Sequence, residues 1–156
     1  MPNKQVLAPE GEMYVPDSTK PLAVMVDLDG TIAKMTDRGP FEWDRVGEDE
    51  PVTNVIAVVE AMARAGYKVI FVSGRDGSCA LQTGMWIDTY YHEDYEGLYM
   101  RPAKDNRKDN IVKLEIFDKY IRHNYNVVTV FDDRDQVVRM WRSIGLTCMQ
   151  VEYGDF

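Results

Sequence analysis

Cysteine and histidine are scarce, and that scarcity excludes whole classes of chemistry. The two cysteines, Cys79 and Cys148, form no CxxC pair and no metal-type spacing. Cys148 sits in the run Leu146-Thr147-Cys148-Met149 and reads as a small core residue. A disulfide does not suit a reducing compartment. The two histidines, His92 and His123, lie far apart among polar and aromatic neighbours and read as surface or interface residues. Zinc ligation and Ser-His catalysis are therefore poorly supplied. No apolar run approaches membrane-spanning length. The opening MPNKQVLAPEGEMY lacks the apolar core of a signal peptide, so a cytoplasmic location is expected. Basic residues are outnumbered, 18 to 26, for a net charge of −8. Such a chain does not bind broadly along a nucleic-acid backbone, although gripping one terminus needs no basic face. A metal held by clustered carboxylates would offset part of that charge.

Against these absences, one short segment stands out. Asp27-Leu28-Asp29-Gly30-Thr31 follows the apolar run Leu22-Ala23-Val24-Met25-Val26. A buried strand thus delivers two carboxylates, one residue apart, to the mouth of a turn. Gly30 permits the sharp turn, and Thr31 adds a hydroxyl at the same rim. The pair suits one carboxylate attacking phosphorus while its neighbour handles the proton.

The rest of the chain alternates strands and helices. Residues 1–21 carry Pro2, Pro9, Pro16 and Pro21 without a sustained period, and read as an extended or partly disordered leader. A domain is expected over 22–156. Leu22–Asp27 is the first buried strand. Ala33–Glu50 is polar, with Gly39-Pro40 and a Phe41/Trp43 pair, and reads as a loop or small hairpin over that strand's end. Val52, Val55, Ile56, Val59 and Met62 follow helical spacing, with Gly66 as the stop. Tyr67–Val72 is a strand ending at Ser73-Gly74-Arg75. A helix is expected around Ser78–Tyr91 with Leu81, Met85 and Trp86 inward. Gly97–Arg101 is a short strand, and Ile111, Leu114, Phe117 and Ile121 mark a helix. Val127–Phe131 is a strand ending in Asp132-Asp133. Val137, Val138, Trp141 and Ile144 mark a helix stopped by Gly145, and Leu146–Val151 closes as a strand. This pattern predicts an α/β fold, a parallel sheet with helices on both faces. In such sheets ligands bind beyond the carboxyl ends of the strands, where strand order reverses. Three strands bring Asp27 and Asp29, Ser73 to Arg75, and Asp132 with Asp133 to that edge.

The set DLDGT, VSGR, a downstream lysine and FDDR resembles the haloacid-dehalogenase (HAD) superfamily of phosphohydrolases. DLDGTIAKMTDRGP, VIFVSGRD, RKDNIVKLEIFDKYI and DDRDQVVRMWRSIGLTCMQVEYGDF resemble the 3′-phosphatase domain family of bacteriophage polynucleotide kinase-phosphatases, from about Tyr14 to Phe156. The resemblance implies a three-layer Rossmann-like fold with a small cap or none. It implies Asp27 as nucleophile, giving an aspartyl-phosphate, and Asp29 as general acid and base. Asp132 and Asp133 are the expected metal pair, with Asp27 and the Asp29 carbonyl completing a Mg²⁺ site. Ser73 and Gly74 resemble the phosphate-binding second motif, and Arg75 extends it with a forked donor. Lys113 matches the third-motif cation. Asp109 lies four residues before Lys113 on one helix face, as support or as a surface salt bridge. Arg38, in the loop after the nucleophile strand, is expected to reach the phosphate. Lys104, Arg107 and Lys108 either steer a nucleic-acid end or form a solvated face.

No GxxxxGK[ST] phosphate loop is present, so the chain is not expected to phosphorylate 5′ ends itself. The expected activity is metal-dependent removal of a 3′-phosphate from RNA or DNA ends, with 2′,3′-cyclic phosphate a further substrate the resemblance implies. The expected setting is end healing beside a separate 5′-kinase and ligase, in host cytoplasm if phage-encoded, without a membrane. Two alternatives stand beside it: a phosphatase of mononucleotides or other small phosphomonoesters, and a non-catalytic end-binding subunit.

Overall fold

A computed structural model describes residues 7–156, so the first six residues of the expected leader, Pro2 among them, lie outside the described residues. The strands are β1 (Leu22–Val26), β2 (Ala33–Lys34), β3 (Glu50–Pro51), β4 (Lys68–Asp76), β5 (Gly97–Arg101), β6 (Asn126–Asp132) and β7 (Cys148–Gln150). The helices are α1 (Thr53–Arg64), α2 (Ala80–Tyr90), α3 (Asp109–Ile116) and α4 (Asp135–Ser143). Five strands form one parallel sheet in the order β5-β4-β1-β6-β7. The chain runs outward from β1 through β4 to β5, then returns to the other side of β1 for β6 and β7. The order therefore reverses at β1, whose carboxyl end carries Asp27.

Side-chain alternation along β1 builds both layers of the core. Val24 and Val26 face α1 and α2, packing with Phe71, Ile56, Val59, Trp86 and Ile87. Ala23 and Met25 face α3 and α4, packing with Ile70, Val130, Val112, Phe117, Val138 and Trp141. Burial of each large apolar side chain contributes about 1.5–3 kcal/mol.

Several elements differ from their sequence-based expectation. The helix after β4 forms, but Leu81 and Met85 are 75% and 62% exposed, and its inner face is Thr83, Trp86 and Ile87. The turn Gly77–Cys79 rotates the helix relative to a period counted from Ser78. In α3 the inward residues are Val112, Lys113 and Ile116, while Ile111 faces solvent. A π-helical turn, Phe117–Ile121, then restores Phe117 and Ile121 to the core. Strand β4 runs on through Ser73-Gly74-Arg75 to Asp76, with a register shift against β5 between Ser73 and Asp76. An irregularity of that kind re-aims side chains at a sheet edge.

Between Leu7 and Pro21 the chain forms no helix or strand, yet part of it is built into the core. Tyr14 is buried, edge-on to Phe117. Its hydroxyl accepts from Val127 N at 2.7 Å and donates to the Tyr125 carbonyl at 3.3 Å. Tyr14 N donates to the Ile144 carbonyl at 2.8 Å. The insertion over the sheet's carboxyl edge is small: β2 and β3 pair antiparallel, with a 3₁₀ turn, Trp43–Glu48, between them. Both histidines are exposed and both cysteines are buried and free. Among the described residues no helix is long and apolar enough to cross a membrane.

Candidate active site

The loop after β1 is set by backbone bonds before any side chain acts. The Leu28 carbonyl accepts from the N–H groups of Thr31, Ile32 and Ala33. Gly30 sits at φ +80°, and a Cβ there would overlap the Asp133 carboxylate. Only glycine fits this turn without strain. Asp27 and Asp29 consequently face one cavity of about 590 Å³.

Asp27 is buried at its floor. Lys113 Nζ donates to Asp27 Oδ1 at 2.8 Å and to Asp132 Oδ2 at 3.0 Å, and Thr31 Oγ1 donates to Asp27 Oδ2 at 2.9 Å. Asp132 also accepts from Trp141 Nε1 at 3.4 Å and, through Oδ1, from Asp133 N at 2.9 Å. Burial, then the Asp132 carboxylate, pushes the Asp27 pKa well above the ordinary value despite Lys113. Burial likewise raises Asp133. Burial also works against the Lys113 charge, but the carboxylates of Asp132, Asp27 and Asp109 outweigh it and hold its pKa above the usual lysine value. Asp27, Asp132 and Asp133 each offer an oxygen within 4.8 Å of the others. Three buried hard ligands beside a single lysine fit a divalent cation such as magnesium.

Asp29 has different surroundings, with its side chain 34% exposed. Arg75 Nη2 donates to Asp29 Oδ1 at 2.8 Å, and Arg75 Nε lies 3.1 Å from Oδ2. The remaining Arg75 bonds go to Asp49 Oδ2 at 2.7 Å and Thr83 Oγ1 at 3.1 Å. Arg38 donates through Nε and Nη2 to Asp49 at 2.7 and 3.0 Å, and Nη2 lies 3.4 Å from Asp29 Oδ1. Asp49 thus sits fully buried between two arginines, anchored by Trp86 Nε1 donating to its carbonyl at 2.8 Å.

In this geometry carboxylates hold two of the expected phosphate donors. Arg75 does not offer a free fork to phosphate, because Asp29, Asp49 and Thr83 take its donors. Arg38 does not reach over the site; Asp49, delivered by the β2–β3 hairpin, captures its guanidinium. Gly74, Lys113, Asp109, Asp132 and Asp133 line the cavity with Asp27, Asp29 and Arg75, whereas Thr31, Arg38 and Ser73 lie behind it. Ser73 is buried, its Oγ accepting from Arg75 N at 3.1 Å. The expected Asp109–Lys113 pair does not form a direct bridge. Asp109 instead accepts from Arg101 and, at 2.8 Å, from Arg134 Nη1. Despite burial, the positive charges of Lys113, Arg134 and Arg101 hold the Asp109 carboxyl below its ordinary range. Lys108 reaches the cavity rim; Arg107 does too, but its guanidinium is engaged by Asp105 and Glu115, and Lys104 lies outside.

Sequence reasoning missed Asp49, Arg101 and Arg134. Asp49 was disguised within the acidic run Glu48-Asp49-Glu50, and Arg101 was an unremarked strand end. Arg134 stood inside the quoted FDDR, so its place beside Asp133 was available as a signal. The rim also carries aromatic residues: Phe41 and Trp43, edge-on at 6.2 Å, and Phe156.

The family model for the polynucleotide kinase PNKP phosphatase domain matches residues 21–156. A protein of Autographa californica nuclear polyhedrosis virus, assigned as a bifunctional polynucleotide kinase/RNA ligase, is 45% identical over 136 residues, covering 85% of this chain and 20% of that protein. A chain in the solved structure of a Pnkp1/Rnl/Hen1 complex superimposes with a TM-score of 0.87 at 40% identity, covering 94% of this chain and 52% of that one. D,D-heptose 1,7-bisphosphate phosphatase of B. bronchiseptica, solved with magnesium and phosphate, shares the fold at a TM-score of 0.57 and 12% identity, over 83% of this chain and 79% of that one. The chain spans between a fifth and about half of the first two relatives.

Proposed function

The chain belongs to the polynucleotide kinase PNKP phosphatase-domain family, within the HAD-type phosphoric monoester hydrolases, and we propose that it removes the terminal 3′-phosphate of broken RNA or DNA strands. The observation that carries this reading is the separation of two neighbouring carboxylates into different environments within one cavity. Asp27 lies buried against Lys113, and Asp29 lies partly exposed against Arg75. One environment suits a fixed nucleophile and the other a proton carrier open to water.

In this reading Asp27 attacks the phosphorus in line, forming an aspartyl-phosphate. Asp29, oriented by Arg75, gives its proton to the departing 3′ oxygen and then takes one from the attacking water. Lys113 and the Gly74 N–H stabilise charge on the equatorial oxygens. Asp27, Asp132, Asp133 and the Asp29 carbonyl would hold magnesium, which when bound supplies positive charge between the Asp27 carboxylate and the phosphate. Thr31 orients Asp27, and Asp109 orients the arginines at the rim. Arg38 and Asp49 act behind the site by fixing Arg75. Residues 22–156 form the catalytic domain together with the strip just before β1, which packs on it through Glu10 and Tyr14.

Support for a polymer end comes from the rim, where Arg101, Lys108 and Arg134 line the cavity together with the aromatic rings of Phe41, Trp43 and Phe156, in a chain of net negative charge. The names of the relatives, one a polynucleotide kinase/RNA ligase and the other a Pnkp1 within an RNA repair complex, favour end healing beside a 5′-kinase and ligase. Cyclic 2′,3′-phosphate is a second substrate of this reading. The test is phosphate release with Mg²⁺ from a 3′-phosphorylated oligonucleotide, beside its 5′-phosphorylated counterpart and a mononucleotide 3′-phosphate, with Asp27→Asn as the blank. Strong preference for the 3′-phosphorylated polymer is expected. Preference for the mononucleotide would move the function to metabolite hydrolysis, and release unaltered in Asp27→Asn would remove the nucleophile.

A further inference from the structure

Residues Gly154–Phe156 follow β7 and cross directly over the loop that carries Asp132 and Asp133. Asp135 N donates to the Gly154 carbonyl at 2.8 Å, and a Cβ on Gly154 would overlap the Asp133 carbonyl oxygen. The crossing is that close because residue 154 has no side chain. Beyond it, Phe156 lines the same cavity as Asp27. Arg134 fixes Phe156 twice. Its Nε donates to the Phe156 carbonyl at 2.8 Å, and its guanidinium lies 5.1 Å from the ring centroid. Arg134 is itself held by Asp109. The ring nonetheless remains 67% exposed.

The ring is thus held in place at the mouth of the catalytic cavity, one face toward a guanidinium and most of its surface open to whatever enters. We propose that Phe156 is a stacking platform for the base of the 3′-terminal nucleotide. This inference rests on the reading of the chain as a polynucleotide-end phosphatase and deepens it. Aromatic faces hold single-stranded bases with little preference for which base is present, as an enzyme acting on arbitrary breaks requires. The Arg134 guanidinium backs the ring and orders it before the strand arrives, so less ordering remains to be done on binding. Phe41 is also exposed at the rim, but it lies edge-on to Trp43 in a loop without a comparable backbone anchor. The terminal sugar, carrying its phosphate toward Asp27, would place its base between floor and rim.

The experiment compares the full chain with Phe156→Ala and Phe156→Trp on two short 3′-phosphorylated oligonucleotides. One has an ordinary terminal base, and the other has an abasic terminal sugar. Phe156→Ala is expected to lower kcat/KM on the base-bearing end about 5- to 150-fold, chiefly through KM. Phe156→Trp should restore it. The wild-type chain should lose a similar factor when the base is removed, and Phe156→Ala should lose little further. Equal wild-type rates on the two oligonucleotides would overturn the proposal without reference to any variant. An equal loss in Phe156→Ala on both would also overturn it, since that marks a purely structural role. If glycerol phosphate is hydrolysed and neither oligonucleotide is, the underlying function fails and the proposal falls with it.

Discussion

Replacing Asp49 by asparagine removes one negative charge from a cluster in which two arginines and two aspartates balance. The side chains of Asp49, Arg38 and Arg75 are at most 1% exposed, so water cannot compensate. Breaking one partner out of a buried pair costs about 3–5 kcal/mol. Asparagine keeps the size and one acceptor, and Arg75 retains Asp29 and Thr83, which places the expected loss near 3 kcal/mol. For a chain of this length that is a fall in Tm of about 6–12 °C. The carbonyl bond from Trp86 survives the substitution, so tryptophan fluorescence should report a native fold at 25 °C. Activity should fall further than stability. Arg38 and Arg75 are left to share Asp29, which then loses the orientation needed for proton transfer, a contribution of about 10²-fold or more. Thermal melts and phosphate release on the same preparation check both numbers. A Tm within about 2 °C of wild type, together with unaltered kcat, would refute the argument that Asp49 holds the two guanidiniums.

Gly30→Ala should cost more than about 1 kcal/mol from backbone strain alone, and its Cβ should push Asp133 aside, with turnover lost before the fold melts. Lys113→Met leaves Asp27 and Asp132, beside Asp133, without their shared lysine; turnover should vanish, and added Mg²⁺ should raise the variant's Tm more than that of the wild type. An equal Mg²⁺ shift in both would count against these carboxylates as the cation site. Asp109 has a depressed folded pKa, so its ion pairs stabilise the fold above the unfolded carboxylate value of about 3.9 and are lost as pH falls through the folded value. Melts of wild type and Asp109→Asn should therefore differ at neutral pH and converge in acid; a constant gap would contradict this. Burial, then the Asp132 charge, pushes the Cys148 thiol up to about 12, so a thiol reagent near neutral pH should leave Cys148 unmodified until denaturant is added.

What the sequence made legible was local. DLDGT announces a strand, a turn and two carboxylates within five residues, and Asp132-Asp133 ends an apolar run, so both were readable without tertiary knowledge. Lys113 was readable through the family motif alone, since the helical spacing put Ile111 and Leu114 inward instead. The rest depends on contacts remote in sequence. Which way the Arg75 guanidinium points is decided by Asp49, 26 positions earlier. Arg38 was expected at the phosphate because its loop approaches the site, but a buried carboxylate behind the loop competes for it. Leu81 and Met85 misled because a count begun at Ser78 ignores the tighter turn before α2. Tyr14 left no periodic trace, since a single anchoring ring has no period.

The pairing of β1 with β6 makes the sheet itself a ruler. Val26 is in register with Phe131, and Asp27 N donates to the Phe131 carbonyl at 2.9 Å, so Asp27 and Asp132 leave the sheet as neighbours. Hydrogen-bonded strands stand about 4.7–4.9 Å apart wherever they occur. The separation of the two backbones is therefore inherited from hydrogen bonding between the strands, and Lys113, bonded to both carboxylates, fills the space between the side chains. Lengthening either residue to glutamate would carry its carboxylate past that lysine, across a backbone separation that repacking of the core does not change. At this position the geometry of the secondary structure restricts which acids evolution can try.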